Sequence, residues 1–78
     1  MPKLHPLPAK KMVKILLQLG FRKTRVRGSH HFFLNRNTGM TATIPIHGNE
    51  YIGIGLLKEI LRDIDLTVEK YEKLRRKV

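Results

Sequence analysis

The sequence predicts an α+β fold in the order α-β-β-β-α, with a three-stranded antiparallel sheet, both main helices on one of its faces and a short C-terminal helix. Three observations carry this. Two segments toward the two ends of the chain place apolar residues at helical spacing, the residues between them alternate with a period of two over three successive runs, and glycine or proline stands near the joints. At 78 residues the chain has room for one core and no second, so residues 1–78 are read as a single domain of modest stability.

Met1 to Leu7, with Pro2, Pro6 and a histidine expected to be solvated, His5, reads as an irregular lead-in. From Pro8 the residues Met12, Val13, Ile15, Leu16, Leu17 and Leu19 recur at helical spacing between Lys10, Lys11, Lys14 and Gln18, an amphipathic helix. Pro8 suits its first turn and Gly20 its left-handed stop. Phe21 to Arg27 alternates, with Thr24 and Val26 between Lys23, Arg25 and Arg27, so a half-buried strand with one cationic face is expected. Gly28-Ser29 joins it as a hairpin turn to a second strand, His30 to Arg36, and Asn37-Thr38-Gly39 is the next turn. Met40, Ala42, Ile44 and Ile46 alternate with Thr41, Thr43 and Pro45 in a third strand, which Pro45 marks as an edge. After a loop over residues 47–53, Leu56, Leu57, Ile60, Leu61 and Ile64 form the stripe of a second helix, Ile54 to Ile64, with Lys58, Glu59, Arg62 and Asp63 opposite. Thr67 caps a last basic helix, Val68 to Lys77, in which Glu69 faces Lys73 and Glu72 faces Arg76.

Both helices on one side leave the other side of the sheet free for a ligand, the layout of double-stranded-RNA-binding domains. The formal net charge of +10 makes a polyanion the expected partner. Nucleic acid fits better than a membrane surface, since no segment sets its lysines cleanly against apolar bulk. An acidic protein partner is compatible with the same charge. The chain has no cysteine, which excludes disulfides and thiolate metal sites and fits a cytoplasmic protein. No apolar run is long enough to span a bilayer.

Chemistry concentrates in Arg27-Gly28-Ser29-His30-His31-Phe32-Phe33. Cleaving RNA without a metal needs a base for the ribose 2′-hydroxyl, cations for the phosphate and an acid for the leaving oxygen. Histidine suits the first or last role because as a residue type it titrates near neutral pH, and Arg25 and Arg27 supply cations from one strand face. His30 and His31 are sequential on a strand and point to opposite faces. Phe32 and Leu34 share a side with His30, Phe33 with His31, and periodicity does not say which side is the core. Taken alone, a strand histidine beside aromatics also fits packing or a satisfied hydrogen bond. His30, His31 and His47 lack the partners and spacing of a metal site, so no metal or cofactor is expected.

Gly20-Phe21 after the first helix, Gly28-Ser29-His30-His31 before an aromatic strand, Ile44-Pro45-Ile46-His47, and Gly55-Leu56-Leu57-Lys58-Glu59-Ile60-Leu61 together resemble the HicA (YcfA-like) family of mRNA-interferase toxins over nearly the whole chain. The resemblance implies the double-stranded-RNA-binding-like fold, metal-independent cleavage of mRNA by a stress-response toxin, and neutralisation by a HicB-type antitoxin. The histidine of the family's Gly-Ser-His motif is catalytic and corresponds to His30, with His31 as runner-up in register. Gly28 and Ser29 form the supporting turn, and His47 falls at the Pro-x-His position, where a structural part is favoured. Lys23, Arg25, Arg27 and Lys58 are the expected RNA contacts, with Gly55 beside Lys58 at the entry to the second helix. The competing readings are a noncatalytic RNA-binding module and an interaction protein whose charge serves an acidic partner.

Overall fold

The computed structural model describes residues 3–78; Met1 and Pro2, the first two residues of the lead-in, lie outside the described part. The elements are β1 (Leu7–Pro8), α1 (Ala9–Gln18), β2 (Arg22–Arg27), β3 (His30–Leu34), β4 (Thr41–Pro45), β5 (Tyr51–Ile52), α2 (Ile54–Asp63) and α3 (Val68–Arg75). The predicted α-β-β-β-α order, the three-stranded antiparallel sheet and the short C-terminal helix are all present. The sheet runs β2-β3-β4, so β3 is central and Pro45 does lie on an edge strand.

Antiparallel partners share a face, and β4 identifies the covered one. Ala42 and Ile44 are buried, with α1 and α2 both packed against this strand. Phe33 pairs with Ala42 and His31 with Ile44, so the odd residues of β3 face the helices. Beneath them Met12, Ile15, Leu16, Leu57, Ile60 and Leu61 are the helices' main share of the core. Leu17, counted in the apolar pattern of α1, stays exposed at its edge.

The lead-in and the loop before α2 are more ordered than their composition predicts. Leu7 pairs with Ile52 and Pro8 with Tyr51 in a second, two-stranded sheet. Pro8 is therefore not in the first turn of α1: it is the residue before it, and the first free amide of the helix, Ala9 N–H, donates to the Glu50 carbonyl at 3.2 Å. The other end of α1 follows the glycine rule. Gly20 takes φ +97°, its N–H donates to Leu17 and that of Phe21 donates to Leu16, a paired bond pattern that closes the helix and drops Phe21 into the core.

α3 is tied down differently from its sequence pattern. Thr67 does cap it, its hydroxyl accepting from Lys70 N–H. Glu72, however, does not reach out to Arg76. It is buried, and accepts from Arg75 at 2.7 Å and from the backbone N–H of His5 at 2.9 Å. His5 is correspondingly not a free solvated residue: its ring meets Glu72 at 3.0 Å and its carbonyl accepts from the Tyr71 hydroxyl at 2.6 Å. A long-range pair between the lead-in and a helix more than sixty residues on has no period, so alternation and helical spacing do not reveal it.

Candidate functional site

The turn between β2 and β3 is two residues long. Gly28 adopts φ +61° and Ser29 does not leave the ordinary region, which fits a turn with glycine at its first central position. Nothing lies within 4 Å of the place a Gly28 side chain would occupy, so backbone conformation alone calls for glycine here. Ser29 anchors the turn through its carbonyl, which accepts from Ile46 N–H at 2.8 Å and extends the ladder to β4.

From this turn the two histidines part. His30 pairs with Arg27 on one side and Pro45 on the other, is exposed, and projects from the face that the helices leave uncovered. Phe32 and Leu34 follow it along that face. His31 lies between Val26 and Ile44 on the helix side and is half-buried. Its Nδ1 is enclosed without a hydrogen-bond partner among the described residues. Burial, and then the Lys23 ammonium, lower the His31 pKa below the usual imidazole range, which favours the neutral ring.

The cations divide as well. The pairing of β2 with β3 shifts between Lys23 and Arg25, which leaves Thr24 as an extra, bulged residue whose hydroxyl donates to the Phe32 carbonyl at 3.3 Å. Beyond the bulge Arg25 pairs with Phe32 and Arg27 with His30, on the uncovered face; before it Lys23 pairs with Phe33, on the helix side. The single cationic face expected for Lys23, Arg25 and Arg27 is thus corrected to two arginines on one side and a lysine on the other. The Lys23 ammonium sits 5.9 Å from the centre of the Phe33 ring, and the Arg25 guanidinium 4.5 Å from that of Phe32. Lys58 is exposed on α2, in the layer behind the sheet, next to Leu61 and Arg62. The structure therefore gathers His30, Arg25 and Arg27 and leaves Lys23 and Lys58 elsewhere. His47 is exposed just past β4, and its carbonyl accepts from Glu50 N–H.

The arrangement puts an imidazole between a guanidinium and a flat, partly apolar strand surface open to a large ligand. Such a group can give or take a proton on a bound phosphodiester while the arginines hold its charge. Alternation puts Phe32 on His30's side and gives it no role in the site, and its stacking under Arg25 depends on the bulge.

No curated protein and no solved structure gives a significant match. The family model described as the HicA toxin of bacterial toxin-antitoxin matches residues 9–66, which hold everything from α1 through α2, including the two-residue turn and both histidines. On a match over most of its length, with the fold and the histidine turn in the matched part, this chain belongs to the HicA toxin family of bacterial toxin-antitoxin systems.

Proposed function

We propose that this toxin is a metal-independent endoribonuclease that cuts mRNA with His30 as its general acid or base. The observation that carries the reading is the position of His30: exposed, on the uncovered sheet face, paired in register with Arg27 and sharing that face with Arg25. In the reaction the ribose 2′-oxygen attacks the adjacent phosphorus as its proton passes to a base. The bond from phosphorus to the 5′-oxygen breaks, and that oxygen takes up a proton. The products are a cyclic phosphate end and a 5′-hydroxyl. His30 transfers one of these two protons, and Arg25 and Arg27 hold the phosphate charge as it grows in the transition state. His31 is the weaker candidate, because its ring faces the helices with one nitrogen enclosed. A toxin of this kind works against an antitoxin, and a HicB-type protein is the partner the reading implies.

Purified protein incubated with a defined transcript in the presence of chelator should cut it. His30→Ala should slow cutting by about 10²–10⁴-fold while RNA affinity and the melting temperature stay near those of the parent. Cleavage that survives His30→Ala, or that requires a divalent ion, would falsify the proposal. Salt-sensitive RNA binding with no products would favour the noncatalytic binding module instead.

A further inference from the structure

We propose that the uncovered sheet face holds an unpaired nucleobase against the Phe32–Arg25 stack, one step along β3 from His30, so that the RNA is single-stranded where it is cut. The inference rests on the nuclease reading above and names the form of its substrate.

Phe32 and His30 are two residues apart on one strand, on one face, about 7 Å from each other along the chain direction. A base next to the phosphate handled by His30 would reach that far. Phe32 is only partly buried, and the groove beside it is lined by strand residues alone. What lies over the ring is the Arg25 guanidinium, 4.5 Å from its centre. Together they present a cationic plate beside a groove of about 420 Å³, whose lining includes Thr24, Arg25, Phe32, Leu34, Thr41 and Thr43 as well as parts of Phe33 and Ala42.

The chemistry of that groove matches a nucleotide more closely than a protein segment. Its lining combines the apolar side chains of Phe32 and Leu34 with three threonines, and its one charge is Arg25, in register with Phe32. A nucleotide has the complementary parts, a planar base joined to an anionic phosphate. Unpaired bases stack on aromatic rings and on guanidinium planes, and they do so with little regard to sequence because every base has such a face. A duplex keeps its base faces buried in its own stack. It could meet the arginines but not the plate.

The test uses the full chain with His30→Ala, so that RNA is bound and not consumed, after the cut site of the parent protein has been mapped on a defined transcript. A short oligoribonucleotide spanning that site is compared with one lacking a single base beside the cut, and with the same sequence in a duplex. Phe32→Leu should weaken binding of the intact single strand by roughly 5–50-fold, while Phe32→Trp should bind it at least as well, with its fluorescence quenched. Removing the base should weaken the parent surface by a similar factor and cost the Phe32→Leu protein little more. If the missing base weakens both proteins equally, or the duplex depends on Phe32 as much as the single strand does, the stacking proposal is wrong. The same holds if Phe32→Leu weakens binding of an antitoxin and leaves RNA binding untouched, since the groove is then a protein interface. These outcomes are separate from the fate of His30: cutting that depends on His30 but shows no coupling between Phe32 and the base sinks the stack alone, whereas failure of the parent protein to cut RNA sinks both.

Discussion

Asn35 shows how much a single residue can organise when its side chain is enclosed. It is buried, yet each of its polar groups has a partner: the amide nitrogen donates to the Leu19 carbonyl at the end of α1, and the amide oxygen accepts from Asn37 and Thr38 in the turn that follows β3. One side chain thereby ties the last turn of a helix to the exit of the central strand. Asn35→Ala would leave that carbonyl and both of those amides without their partner, and a loss of about 2–3 kcal/mol in chemical denaturation is expected. Asn35→Asp should be nearly as damaging, because a carboxylate would face the Leu19 carbonyl. In sequence Asn35 falls near the end of the strand read as His30 to Arg36, whereas β3 ends at Leu34 and Asn35 opens the turn. Its burial follows from where the end of α1 comes to lie, which no local pattern encodes.

At the scale of elements, α1 and α2 finish in the same way with different residues. After α2, Asp65 N–H donates to Arg62 and Leu66 N–H to Leu61, the counterpart of the Gly20 and Phe21 bonds after α1. The residue that must turn left-handed is Asp65, at φ +55°, the one described residue other than glycine with a positive φ. A side chain there is strained where glycine is not, so Asp65→Gly should raise stability by about 0.5–1 kcal/mol, read as a higher melting temperature with an unchanged denaturant slope. Strongly periodic segments were the legible ones. The stripe of α2, the alternation of β4 and the stop at Gly20 stand in the structure as the sequence predicts them, because each is fixed by residues within a few positions. The short strands β1 and β5 were not legible, since two residues carry no period and their pairing is a tertiary fact.

The whole molecule is closed by the contact between its lead-in and α3, both outside the stretch that defines the family. Burial by itself would raise the Glu72 pKa, but hydrogen bonds from Arg75 and then from the backbone and ring of His5 more than offset this and bring it to about 2, against 4.5 ordinarily. The sign follows: a carboxylate with a depressed folded pKa adds stability above about pH 4.5 and loses it progressively as the pH falls toward 2. His5 is 44% exposed, so solvent screens the site, and on the order of 1–2 kcal/mol is at stake. Melting temperatures measured from pH 7 to pH 2 should fall through that window, and Glu72→Gln should start lower and show a shallower fall. Tyr71, whose pKa burial and then the Glu72 charge push up to about 12, keeps its hydroxyl as a donor to His5 throughout.

The candidate site was legible as a turn, a histidine and nearby positive charge, and the face on which each stood was not. For the histidines it followed from the pairing of β3 with β4, and for the cations it depended on Thr24. A strand counted off in strict twos would present Lys23, Arg25 and Arg27 as one row, whereas a single supernumerary residue changes the phase and serves two customers at once. Two guanidinium groups stand on the open surface, and one ammonium is held back over Phe33, where it adds to the burial that lowers the His31 pKa. The toxin thus sorts its positive charge by counting rather than by composition, and one of its smallest, uncharged side chains marks the place where the count changes.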